Sequence, residues 1–391
     1  MPKLKVLLVC DILIRDYDGC NRTLFHILDR YDKENVKISI ISGKIEGLDQ
    51  PMQVLKLPNL TLPFNQDYSI AVPYFVTNDI HQFIDEVNPD IIHITSPSLL
   101  GSHIQCIAQK RRIPVSSIYH TDFIGYISYY VSAYNPLKEL IKQYFSSVAR
   151  KFYNGCDVVF APTSASRDYL IDMGIEASKI SIWQRGIDPT IFRQNGDNAP
   201  TILQAQKIQK PIVFFASRLV WEKNLETLVA VYNLSVSQGD KYQFVVGGDG
   251  LAYHELKEQM PNAIFLGNLT QIELSKWYNH ADVFVFPSIT ETFGNVIIEA
   301  MSCGLPVIAA NGGGSVSLIN HLENGVLVTH DDATSYFHYI EKIVHDSAFR
   351  KTLIKNGLNF SSKLSWPALV QSFFESISRI AKFDHFKKVA S

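Results

Sequence analysis

The chain has 391 residues, 46% of them hydrophobic and 19% charged, a balance that excludes a disordered chain or a bundle of membrane spans and makes two globular domains the expectation. A formal net charge of −2 excludes a general nucleic-acid binder, which carries a basic surface, but leaves phosphate-bearing small ligands open. The five cysteines, Cys10, Cys20, Cys106, Cys156 and Cys303, form no CxxC pair and read as small apolar fillers in a reducing compartment.

The first apolar run, Leu4–Cys10, meets Asp11 too soon for a signal-peptide core and reads as a strand. Further strand-like runs follow at Val36–Ile41, Ile91–Thr95, Val115–His120, Val158–Pro162 and Ile180–Trp183. Between them lie helical patterns at Asn21–Arg30, Asp79–Val87 and Leu99–Arg111. The segment Phe123–Tyr134 is rich in aromatics, and the helical stretch Leu137–Lys151 sets Lys138, Lys142, Arg150 and Lys151 against Glu139. Such a helix suits either an anionic membrane surface or plain solvent. The polar stretch Arg193–Lys210 reads as a linker.

Beyond it the alternation resumes, with strands expected at Ile212–Ala216, Gln243–Val246, Ile264–Leu266, Val283–Phe286, Val307–Ala310 and Val326–Val328. Asp331-Asp332 reads as a helix start, and Ser365–Ile380 as an amphipathic helix with a proline near its first turn. No apolar run reaches the ~18 residues of a membrane span. Strands alternating with helices imply an α/β protein with two Rossmann-like parallel-sheet domains. These are expected at residues 1–195 and 205–364, with the helix from 365 to 391 returning to the first domain. Ligands of such sheets bind beyond the carboxyl ends of the strands, so two facing domains would enclose a cleft.

Four groups with polar or glycine chemistry follow strands of the second half. Ser217-Arg218-Leu-Val-Trp-Glu-Lys223-Asn offers a guanidinium fork and a point charge to a phosphate. Gly247-Gly-Asp-Gly250 permits close backbone approach. Leu266-Gly-Asn-Leu269 can present backbone groups to a nucleobase. Ser288-Ile-Thr-Glu-Thr-Phe-Gly-Asn-Val-Ile-Ile-Glu299 sets Glu291 and Glu299 eight positions apart, one in the loop and one in the helix that begins near Asn295. Taken singly, each has an ordinary reading as a surface charge, a turn or an ion pair.

In this order after successive strands, the four groups resemble the retaining glycosyltransferases of the GT-B fold, known as glycosyl transferases group 1 or family 4. The resemblance is strong over residues 211–330, continuing through Asn311-Gly-Gly-Gly314 and Asn324-Gly325, and looser over the first half. It looks most like the branch that transfers a hexose or mannose to a lipid.

The resemblance implies a nucleotide-diphosphate sugar as donor, GDP-mannose or a UDP-hexose, with no metal and no further cofactor. Arg218 and Lys223 would bind the diphosphate, Glu291 the hydroxyls of the donor sugar and Glu299 the ribose. Phe293, Gly294, Asn295 and Val296 would meet phosphate and sugar through their backbones, and Gly248 and Gly267 would border the nucleotide. In the first half, His120 in Ser117-Ile-Tyr-His-Thr-Asp-Phe123 matches the family's histidine that faces the donor sugar, with Thr121 and Asp122 toward the acceptor. After the first strand the family has a Gly-Gly pair; here Gly19 matches and Cys20 departs. Arg185-Gly-Ile-Asp188 resembles the family's Arg-Gly-Val-Asp, with Asp188 expected to cap or orient the crossing between domains.

His120 and Glu291 are thus the expected catalytic residues. The acceptor would be a lipid, or a lipid-linked glycan, at the cytoplasmic face of the membrane; a soluble or polysaccharide acceptor stays open. So do a nucleotide-sugar epimerase, a phosphorylase and an inactive binding homologue of the same fold. The protein is expected in the cytoplasm, at most peripheral on the membrane.

Overall fold

Each apolar run becomes a strand of a parallel sheet, because strands buried on both faces carry continuous apolar sequence. The computed structural model describes residues 3–15, 17–62, 65–120, 138–195 and 208–389. The first half comprises β1 (Leu4–Ile14), α1 (Gly19–Arg30), β2 (Val36–Glu46), β3 (Gln53–Lys56), β4 (Asn59–Leu62), β5 (Asn65–Ala71), α2 (Thr77–Val87), β6 (Ile91–Ile94), α3 (Leu99–Arg111), β7 (Val115–Ile118), α4 (Lys138–Asn154), β8 (Val158–Ala161), α5 (Ser164–Asp172) and β9 (Ile180–Ile182). The second has β10 (Ile212–Ala216), α6 (Leu225–Ser237), β11 (Gln243–Gly247), α7 (Tyr253–Gln259), β12 (Ile264–Phe265), α8 (Gln271–His280), β13 (Val283–Phe286), α9 (Asn295–Ser302), β14 (Val307–Ala310), β15 (Val326–Val328), α10 (Ala333–His345), α11 (Ser347–Ser361) and finally α12 (Trp366–Val389).

The chain forms two units, Met1–Gln184 with Trp366–Ser391, and Arg185–Ser365. The crossing falls at Gln184–Arg185, ahead of the polar stretch read as the linker. The physical reason is burial: Ile187 and Phe192 belong to the apolar core of the second unit.

In the first unit the strand order is β3-β2-β1-β6-β7-β8-β9, parallel throughout. Successive residues of β1 serve opposite faces. Leu7 and Val9 join one core layer, while Val6, Leu8 and Cys10 join the other. That second layer is closed by α12, whose Phe373 packs 5.3 Å from the rings of Phe160 and Trp183. Trp183 Nε1 donates to the Leu369 carbonyl at 2.9 Å, and Trp366 stacks on His26 at 4.3 Å.

β2 extends past the expected Ile41 because its pairing with β1 continues to Ile14↔Glu46. The short edge strand β3 and the hairpin β4–β5 have no counterpart in the apolar runs. Val54 and Leu55 of β3 are only half-buried and their neighbours Gln53 and Lys56 are exposed, so no apolar stretch marks them.

In the second unit the order is β12-β11-β10-β13-β14-β15, again all parallel. It is the 3-2-1-4-5-6 arrangement of doubly wound nucleotide-binding sheets, with the strand order reversing between β10 and β13. At that reversal Val213 lies beside Val283 and Phe214 beside Phe284. The loops leaving β10 and β13 therefore emerge side by side.

Candidate active site

The loop after β10 carries Arg218 and Lys223, and the loop after β13 carries Glu291. Their adjacency at the sheet reversal has a direct chemical result. Lys223 Nζ lies 2.7 Å from Glu291 Oε1 and donates a second hydrogen bond to Thr290 Oγ1 at 3.3 Å. The lysine side chain is only 3% exposed, and that of Glu291 29%. Burial acts to raise the Glu291 pKa, but the charges of Lys223, Arg218 and Arg185 outweigh it and hold the carboxyl below its ordinary value. Arg218 reaches outward, its side chain 62% exposed, with Nη2 3.5 Å from Glu222 Oε1.

Glu291 stands ahead of α9, whose N-cap Gly294 has φ +102° and supplies no side-chain hydrogen bond. First-turn N–H groups at such a start favour an anion. Phe293 is fully buried beneath this turn, whereas Asn295 and Val296 are half-buried. The Asn295 side-chain oxygen is buried without a hydrogen-bond partner among the described residues. Glu299, one turn on, is 6% exposed and accepts from Tyr278 Oη of α8 at 3.3 Å. The two glutamates are thus held by different partners, one by a lysine and the other by a tyrosine.

The glycines divide by their surroundings. Gly248 has φ +117°, and a Cβ there would fall 1.8 Å from the Ser217 carbonyl oxygen; the glycine lets the loop after β11 close against the loop carrying Arg218. Gly267 has φ +68° with open space where a Cβ would stand, and its carbonyl accepts from Gly248 N at 2.7 Å. Behind the Glu291 loop, Gly314 N donates to the Glu291 carbonyl at 2.7 Å.

In the first unit His120 follows β7 by two residues and is 7% exposed. Gly19 is the first residue of α1, which Asp18 caps by accepting from Asn21 N at 2.7 Å. Thr121, Asp122 and the aromatic stretch Phe123–Tyr134 lie outside the described residues. Asp188 forms a local turn, accepting from Thr190 N at 3.0 Å and Thr190 Oγ1 at 2.6 Å. Asp332 caps α10 through Ser335 N, as its sequence position suggested.

The description "Glycosyltransferase Family 4" matches residues 17–191 and "Glycosyl transferases group 1" residues 200–360. A GDP-mannose-dependent alpha-mannosyltransferase of Corynebacterium glutamicum is 31% identical over 333 residues, covering 83% of this chain and 76% of that protein. The chain belongs to the group 1/family 4 glycosyltransferases. An alpha-monoglucosyldiacylglycerol synthase of Streptococcus pneumoniae is 28% identical to this glycosyltransferase, over 66% of its chain and 59% of the relative. The crystal structure of Anabaena HepE in complex with UDP and glucose has a TM-score of 0.75 and 20% identity, covering 96% of this chain and 99% of that one. It shows that the two share the GT-B fold.

Three members of the glycosyltransferase's cluster were not singled out from sequence. Glu222 and Thr290 lie inside the quoted motifs but looked like filler between charged residues. Arg185 lay in the Arg-Gly-Ile-Asp run, with nothing to indicate that its charge acts on Glu291.

Proposed function

We propose that this glycosyltransferase moves a hexose from GDP-mannose or a UDP-hexose to a hydroxyl of a membrane lipid or lipid-linked glycan, retaining the anomeric configuration. The observation that carries the reading is the convergence, at the reversal of the second sheet, of Arg218, Lys223, Glu291 and the uncapped start of α9. As the bond between the anomeric carbon and the phosphate oxygen breaks, negative charge grows on the diphosphate. Fixed cations and helix N–H groups placed beforehand stabilise that charge without reorganising. An incoming diphosphate competes with Glu291 for Lys223, which turns the carboxylate toward the sugar hydroxyls. The Asn295 oxygen suits a hydroxyl donor from the same ligand, and the open side of Gly267 suits a base held through backbone groups.

Retention follows if the acceptor oxygen attacks on the face the diphosphate leaves. The acceptor proton passes to the departing phosphate oxygen as the new carbon–oxygen bond forms. His120 is assigned the developing positive charge of the sugar by family resemblance, and Glu299 the ribose. The lipid acceptor is supported by the diacylglycerol-directed relative and by α4, where Leu140 and Tyr144, one turn apart, are 61% and 66% exposed beside exposed Lys142. No helix among the described residues is long and apolar enough to cross a membrane.

The test is a transfer assay with the full chain, UDP- and GDP-hexoses, and vesicles containing diacylglycerol or phosphatidylinositol. One donor should be consumed only with lipid present, giving an α-linked product by NMR. Glu291→Gln should lower kcat by about a hundredfold, the scale of losing one charge-stabilising group. No turnover of any donor sinks the enzyme reading, an inverted product sinks retention, and transfer only to soluble sugars sinks the lipid.

A further inference from the structure

A carboxylate buried away from water is costly unless a charge compensates it. Glu222 is such a group: its side chain is 1% exposed, and Arg218 Nη2 lies 3.5 Å from its Oε1. It sits on the short turn Trp221–Lys223, directly before the lysine that meets Glu291. Its backbone carbonyl accepts from Thr290 Oγ1 at 3.3 Å, and the same Thr290 oxygen accepts from Lys223 Nζ. One residue therefore touches the arginine through its side chain and the lysine's neighbour through its backbone.

The main chain around Arg218 is already fixed. Ser217 N donates to the Gly247 carbonyl at 3.2 Å and Leu219 N to the Asp249 carbonyl at 2.8 Å. The Arg218 side chain is more than half in solvent. An arginine side chain has many rotamers and loses that freedom when it grips a phosphate through two N–H groups. Glu222 reaches it from the buried side and restricts where the guanidinium can point. At 3.5 Å the contact is looser than a charge-assisted hydrogen bond of about 2.8 Å, so the arginine can turn toward a ligand without leaving its counter-charge.

We infer that Glu222 is a positioning residue for the diphosphate site, acting through Arg218; the inference rests on the nucleotide-sugar reading above. Its negative charge also opposes a bound diphosphate. The positioning effect exceeds that repulsion because the Arg218 guanidinium stands beside the carboxylate and offsets its charge.

The experiment is a double-mutant cycle on the full chain, reading UDP and GDP dissociation constants, donor KM and kcat, and thermal midpoints. Glu222→Gln removes the charge, and Glu222→Asp keeps it but shortens the reach. Each should weaken the preferred nucleotide about tenfold, the scale of one hydrogen bond to a charged group. Combined with Arg218→Ala, neither should add a further loss. An equal loss in the Arg218→Ala background, or tighter binding by Glu222→Gln, overturns the inference. So does failure of both Glu222 variants to fold, which assigns the residue to stability. Arg218→Ala binding both nucleotides as tightly as the parent is a different failure: it sinks the diphosphate reading itself, and the positioning role with it.

Discussion

At the scale of single residues, the ion pair of Lys223 and Glu291 decides how the site responds to pH. The folded pKa of Glu291 lies below its ordinary 4.5. The pair's stabilisation is therefore fully present above pH 4.5 and is lost as pH falls through the lowered folded value. Lys223→Met removes the largest favourable charge and leaves the burial, so the Glu291 pKa should rise above that of the parent. Carboxyl carbon NMR across pH 3–7 reads this directly, and an unchanged midpoint would show that Arg218 and Arg185 suffice without the lysine. The residue types of this site were legible, since Arg, Lys and Glu after successive strands already point to a phosphate-bearing ligand. Their pairing was not. Lys223 and Glu291 are 68 positions apart, and only the reversal between β10 and β13 sets their loops side by side.

At the scale of elements, the glycine runs explain how the loops hold their shape. Gly314 has ordinary backbone angles, but a Cβ there would lie 2.2 Å from the Phe293 carbonyl oxygen, inside the loop that presents Glu291. Gly267 has the opposite character, a left-handed φ of +68° with nothing close to a Cβ. Gly314→Ala must push backbone against backbone and should cost about 1–3 kcal/mol, as overpacking does, with kcat falling because Glu291 shifts. Gly267→Ala carries only the left-handed penalty of about 1 kcal/mol. Thermal melts and donor kinetics on the two variants separate the causes; equal stability losses with kcat unchanged for Gly314→Ala would sink the distinction. The same contrast shows what sequence could convey about elements. The core strands β1, β6, β7, β8, β10 and β13 announced themselves as apolar runs. The edge strand β3 did not, because a strand at a sheet's margin needs no continuous apolar sequence, and neither did β4 and β5, which form a separate two-stranded sheet.

At the scale of the whole molecule, the two units have separate apolar cores, so each unit has its own unfolding midpoint. Acid should reach the first unit through His93. This residue of β6 is 1% exposed; its Nδ1 pairs with Ser116 Oγ at 2.9 Å, and its Nε2 is buried without a hydrogen-bond partner among the described residues. Phe373 of α12 packs edge-on at 5.2 Å. A cavity beside the ring is lined by Val6, Leu8, Leu24, Ile27, Leu28, Ile38, Phe373 and Phe374, with no charge among them. Burial lowers the His93 pKa from 6.5 to about 3. Between those values the unfolded chain takes up the proton and the folded one does not, so stability falls as pH drops from 6.5 toward 3. The slope from this one group is at most about 1.4 kcal/mol per pH unit. Asp11 works in the other direction: burial raises its pKa despite hydrogen bonds from Ser98, Ala71 and Ser96, so the folded state binds that proton first. Comparing His93→Gln with the parent cancels the Asp11 contribution, because both proteins retain it. Urea unfolding can be followed by Trp183 and Trp366 fluorescence, with Trp221 and Trp277 of the second unit replaced by phenylalanine. The parent's stability should fall more steeply than the variant's between pH 6.5 and 4. Equal slopes would mean that the acid sensitivity of the first unit arises elsewhere than beneath α12.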